Sequence, residues 1–110
     1  MSHKESRLDL IRKMQENDPH DPFLKYAIAL EYIALNEPTV AVEQLYQLMH
    51  DHPDYLPTYY QLGKLLEIDN AIENAVEIYK IGKALAHKNG DKKTWGEINE
   101  ALMMWDDDEE

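Results

Sequence analysis

The chain has 110 residues, no cysteine, and 22 acidic against 11 basic residues, for a formal net charge of −11. That length suits one compact domain with a core of its own. The missing cysteines exclude a disulfide framework, a thiolate zinc site and a cysteine nucleophile. The charge opposes binding to a phosphate backbone, so nucleic acid is not expected as a partner.

At the N-terminus, Met1–Arg7 leads into an amphipathic segment rather than an apolar signal core, and no apolar run has the length of a membrane span. A soluble cytoplasmic protein with no membrane partner is the expectation. A first helix follows from Ser6 to Asn17, with Leu8, Ile11 and Met14 as its apolar stripe and Leu10 beside it. Asn17-Asp18-Pro19 stops it. Asp21-Pro22 then supplies an N-cap and a first-turn proline for a second helix reaching Leu35. Asn36-Glu37-Pro38 breaks the chain, and a third helix runs from Thr39 to Asp51. His52-Pro53-Asp54 breaks it again. The fourth helix spans Tyr55 to Ile68, with Pro57 tolerated in its first turn. After the corner Asp69-Asn70, a fifth helix runs from Ala71 to His87. Asn89-Gly90-Asp91 combines a glycine suited to a left-handed cap with an aspartate N-cap. The sixth helix covers Lys92 to Trp105, and five acidic residues, Asp106 to Glu110, follow it. This tail is read as solubilising, or as a docking arm for a basic partner.

Short helices joined by shorter turns must pack antiparallel. The hairpins also repeat. Pro19 and Pro53 lie 34 residues apart, and the same shift superposes Tyr26 on Tyr60, Asn36 on Asn70, and Ala41-Val42-Glu43 on Ala75-Val76-Glu77. Each asparagine falls at a corner inside a hairpin, where the backbone often turns left-handed, which Asn tolerates. Each alanine falls early in a hairpin's second helix, where a small side chain permits close approach.

A two-helix unit of 34 residues resembles the tetratricopeptide repeat. Tyr59, Leu62-Gly63 and Leu66 match the motif of that family's first helix, and Ala75, Tyr79 and Gly82 match its second. The other copy reads Lys25, Ile28-Ala29 and Tyr32, then Ala41, Leu45, Leu48 and Pro53. It departs from the motif at Lys25, where an aromatic is usual, and at Leu48, where a small residue is usual. His87 replaces the closing proline of the second copy. With two extra residues allowed in the Gly90 turn, Trp95, Ile98 and Leu102 enter the first-helix pattern of a third unit, with Asn99 in the glycine position. The resemblance implies an all-α fold, a right-handed solenoid of about six helices in stacked antiparallel hairpins. Its expected divisions are an N-terminal half-repeat at 5–18, repeats at 22–55 and 56–91, and a capping helix at 92–105. Together these make one domain, 1–105, followed by the acidic tail 106–110.

The resemblance also implies a non-catalytic module that grips a peptide or helix of a protein partner on its concave face. On helical spacing that face carries Phe23, Tyr26, Leu30 and Ile33 on the second helix, and Tyr60, Lys64, Glu67 and Ile68 on the fourth. The two tyrosines could instead simply pack between helices with their hydroxyls at the rim. The stripes Ile28-Tyr32-Leu35 and Leu62-Leu66 are expected in the core. Some family members hold acidic chaperone tails with lysines and asparagines in the groove. Here Tyr26, Leu30 and Gln61 stand in comparable places, so a neutral, apolar or basic segment is expected. A structural homo-oligomer is the alternative. The sixth helix places Trp95, Met103, Met104 and Trp105 either to seal the last repeat or to hold a second copy as a homodimer.

No cofactor is expected. The sequence holds no glycine-rich phosphate loop, HExxH or GxSxG motif, so no enzyme chemistry is read from it. His50-Asp51-His52 falls at a helix end with the histidines on different faces. It reads as dipole-compatible imidazoles rather than a metal site.

Overall fold

The computed structural model describes residues 6–105, so the acidic tail lies outside the described residues. Six α-helices account for the architecture: α1 (Arg7–Asn17), α2 (Pro22–Ala34), α3 (Pro38–Asp51), α4 (Pro57–Ile68), α5 (Ile72–Asn89) and α6 (Lys92–Met103). No strand occurs among the described residues.

The punctuation read from the sequence is what ends each helix. Ser6 and Asp9 form a reciprocal capping box at the start of α1, with the Asp9 N–H 3.0 Å from Ser6 Oγ. Asp21 accepts the Phe23 N–H at 2.9 Å, and Asp91 accepts the Thr94 N–H at 3.0 Å. Asn36 and Asn70 have φ of 62° and 61°, and Gly90 has 71°. The residue after each of these closes the same bond. Glu37 donates to the Tyr32 carbonyl at 2.8 Å, Ala71 to Leu66 at 2.8 Å, and Asp91 to Ala86 at 2.9 Å. This six-to-one closure is the Schellman device, and it satisfies a carbonyl that the ending helix leaves open. α1 and α3 end differently: Asp18 and His52, each before a proline, leave the helical region at φ −146° and −138° with ψ near 71° and 72°, in keeping with the steric bias against helix at that position.

Two compact units divide the chain, one up to His52 and the other from Pro53. In the first, α2 packs on α3 and α1 packs on α2. Ile11, Leu24 and Ile28 form a buried cluster flanked by Leu8, Ala27 and Tyr32. Arg12 donates to the Tyr32 hydroxyl, and Arg7 pairs with Glu31 at 2.7 Å, so polar side chains tie α1 to α2 around that cluster. Ala29, Ala41, Leu45 and Leu48 complete the core.

In the second unit, α5 packs on both α4 and α6. Two glycines set how closely. A Cβ on Gly63 would stand 2.2 Å from Tyr79 Cε1, and one on Gly82 would stand 2.5 Å from Tyr59 Cβ. Each ring therefore occupies the space a side chain would fill on the facing helix. Tyr59, Leu62, Tyr79 and Ile98 are fully buried around this double interlock. The first unit solves the same register with its bulk redistributed. Leu45 faces the Ala29 position in place of Tyr79 over Gly63, while Lys25 and Leu48 stand in place of Tyr59 and Gly82. The Lys25 ammonium reaches Asp51 at 3.4 Å, and Leu48 is 1% exposed.

Leu35, expected in the core, is exposed, and so are two residues on or beside the apolar stripe of α1. Leu35 is 54% exposed because it is the C-cap of α2, already past the buried face. Leu10 and Met14 are 48% and 55% exposed, because only the Ile11 side of α1 meets α2.

Candidate functional site

The residues expected to meet a partner lie on two helix faces, one in each unit. On α2, Phe23 is exposed, and Tyr26, Leu30 and Ile33 are half-buried. They recur at helical spacing on the side of α2 opposite the buried Leu24 and Ile28. The result is an apolar strip with one prominent ring at its N-terminal end.

The α4 face is more polar. Tyr60, Lys64 and Glu67 follow at i, i+4 and i+7, which places them one above another. Lys64 Nζ lies 5.7 Å from the Tyr60 ring centroid, a cation–π distance. Tyr79 backs the group from α5. Its ring centroid is 6.4 Å from that of Tyr60 with a 42° tilt, and its hydroxyl donates to the Glu67 carboxylate. Burial holds the Tyr79 phenol far above its ordinary ionisation range, and the Glu67 carboxylate adds to that. Tyr60, Lys64 and Glu67 are thus a preorganised set, braced from beneath by a core tyrosine. Ile68, at the end of the same face, is 79% exposed.

Sequence reasoning matched Tyr79 to the repeat motif alone and missed its polar end. The readable signal was Gly63, because a ring lying over a glycine passes through the helix interface and brings its hydroxyl out on the other side.

A second feature lies between α5 and α6. Lys80, Lys83, Ala84 and His87 of α5, with Trp95 and Leu102 of α6, enclose a cleft of about 360 Å³. Lys83 Nζ sits 5.1 Å from the Trp95 ring centroid. A further hollow of about 240 Å³ abuts Trp95 from the Gly90 turn. Trp95, Met103, Met104 and Trp105 are all exposed.

His50, Asp51 and His52 do not gather around a common point. His50 Nδ1 meets the Asp51 carboxylate at 3.2 Å, and Gln47 and Lys25 bond the same carboxylate. The His50 bond is the main reason that carboxyl is held below its ordinary range, with Gln47 and Lys25 adding to it. Among the described residues no three His, Cys, Asp or Glu side chains cluster, and no helix is long and apolar enough to cross a membrane.

Antiparallel helix pairs with this small-residue register define a helical-repeat protein. Comparison with known proteins narrows the class. No family model matches the sequence, and no curated protein matches it. Solved structures do. The crystal structure of a tetratricopeptide repeat domain protein from Salinibacter ruber is 33% identical, with a TM-score of 0.73, over 76% of this chain and 93% of that one. A solution NMR structure of a tetratricopeptide repeat domain protein from the same organism is 34% identical, with a TM-score of 0.75, over 78% and 87%. The chain belongs to the tetratricopeptide repeat family, whose fold serves protein–protein interaction in general.

Proposed function

We propose that this protein is a non-catalytic interaction module that binds a peptide or helix of a protein partner, with one candidate contact face on α4 in the second unit and another on α2 in the first. The observation that carries this reading is the set Tyr60, Lys64 and Glu67, in which Tyr79 contacts Tyr60 and Glu67 from beneath and the Lys64 ammonium lies over the Tyr60 ring. Core packing does not require a lysine and a glutamate there. A partner finds them already oriented, which lowers the ordering cost of binding. On α2, Phe23, Tyr26, Leu30 and Ile33 offer apolar anchors with aromatic area. The chemistry favours a neutral, apolar or basic segment, because the chain is strongly acidic.

The test is one double variant in a pull-down from native lysate. Tyr26→Ala with Tyr60→Ala removes both aromatic anchors, and recovery of co-purifying proteins should fall about tenfold or more. Helical circular dichroism and thermal melting should remain near wild type. Unchanged capture by a folded double variant would refute this reading.

A second reading rests on a separate observation. Trp95 and Met103 on α6, with Met104 and Trp105 just past its end, are exposed and apolar, which favours self-association at that end of the described chain.

A further inference from the structure

We infer that two copies of this chain pair antiparallel through the outward face of α5, with Ile81 of each copy set against Ala84 of the other. This surface is separate from the α2 and α4 faces and from the end of α6.

α5 buries Ala75, Ile78, Tyr79, Gly82 and Ala86 along one side. The opposite side carries Asn74, Glu77, Ile81, Ala84 and Lys88, and all five are exposed. Their spacing alternates three and four residues over most of the helix, which is the seam of a two-helix coiled coil. Ile81, at the middle of that seam, is 48% exposed. The first unit gives the contrast. A shift of 34 residues puts Glu43, Gln47 and His50 of α3 in the places of Glu77, Ile81 and Ala84, and those three are exposed and polar. The second unit has an isoleucine and an alanine at the centre instead.

The charges choose the occupant. Glu77 precedes the apolar centre and Lys88 follows it, and the point midway between Ile81 and Ala84 is also midway between Glu77 and Lys88. A second α5 laid antiparallel about that point sets Ile81 on Ala84 and Glu77 on Lys88, each pair twice. The large side chain meets the small one, and each carboxylate meets an ammonium. Laid parallel in register, the same face would set like charge on like. Self-complementarity under a two-fold rotation is what a closed homodimer requires, and it singles out a second copy as the occupant. The helix dipole accounts for an acidic residue near the start of α5 and a basic one near its end. It does not account for Ile81 and Ala84 between them. The apolar contact is narrow and each chain carries a net charge of −11, so the pair is weak and needs salt to screen the long-range repulsion.

Sedimentation equilibrium of the full chain, in about 0.15 M salt and up to about 1 mM protein, should give a mass that rises with concentration toward twice 12.9 kDa. Ile81→Glu should weaken pairing about tenfold or more. Ile81→Gln, which copies the first unit, should weaken it too, and both variants should keep wild-type helical circular dichroism. Glu77→Lys and Lys88→Glu should each weaken self-pairing about fivefold, because two contacts turn repulsive at once. An equimolar mixture of those two charge variants should pair as the wild type does, since every contact between them again sets a carboxylate on an ammonium. A monomer at every concentration, or a dimer indifferent to both Ile81 variants, overturns the inference. A dimer that Met103→Glu breaks and Ile81→Glu does not assigns the pairing to the end of α6 and overturns it as well. A dimer that Ile81→Glu weakens but the mixture does not rescue overturns the antiparallel register.

Discussion

Gly63 and Gly82 show how single residues set this packing. Neither is needed for backbone freedom, since both lie inside helices. Each leaves a gap filled by a tyrosine ring from the facing helix. Gly63→Ala should therefore destabilise by about 1–3 kcal/mol, despite alanine's better helix propensity. The first unit suggests the remedy, because Ala29 and Leu45 hold the corresponding places there. Adding Tyr79→Leu to Gly63→Ala should recover part of the loss, giving a favourable coupling in a denaturation double-mutant cycle. The same tyrosines set an alkaline limit. Burial raises the ionisation of Tyr59 and Tyr79 above the ordinary phenol value of about 10. The unfolded chain then loses those protons first, so it binds fewer protons than the folded one at higher pH. Stability should be level below pH ~10 and fall above it, by up to about 1.4 kcal/mol per pH unit for each tyrosine. Tyr59→Phe should make the decline shallower in urea titrations across that range. Thr58 runs the other way. Its hydroxyl is fully buried and has no hydrogen-bond partner among the described residues, so Thr58→Val should be neutral or should stabilise by about 1 kcal/mol.

The elements were legible in the sequence wherever a chain break has a steric cause. Pro19, Pro53, Asn36, Asn70 and Gly90 each mark a helix end in the structure, because ring closure or a left-handed backbone restricts what can stand there. Asn70→Val should accordingly cost more than Asn70→Gly. Chemical denaturation should separate the two by about 1–2 kcal/mol, with Gly near wild type. Ala41 and Ala75 were legible too, since small residues recurring at one register mark close helix contact, and both are fully buried. Periodicity failed where it could not say how many neighbours a helix has. It put Met14 on the apolar stripe of α1 and Leu10 beside it, where the packing of α1 on α2 leaves both exposed. It could not foresee the Lys25–Asp51 pair, because charge partners on different helices leave no spacing signal within either one. For the candidate site, spacing placed Tyr60, Lys64 and Glu67 on one face. The brace from Tyr79 is a contact between helices, and it became visible only in three dimensions.

Across the whole molecule, burial is uneven. In α1 only Ile11 is buried, whereas α4 and α5 bury six and five residues. Native-state hydrogen exchange should reflect that order, with α1 amides exchanging fastest and the Tyr59–Tyr79 interlock slowest. A net charge of −11 also acts on the folded chain as self-repulsion. Raising sodium chloride from about 0.02 to 0.3 M should lift the melting temperature by a few degrees, through screening alone. The hairpin corners have a consequence for how such a chain can grow. Residues 32–37 and 66–71 close with the same bonds at the same φ, 34 positions apart. A gene segment spanning 37–70, duplicated in tandem, would splice one corner onto its own copy without a new junction. The corners are thus interchangeable joints, even though the helix faces they connect are not.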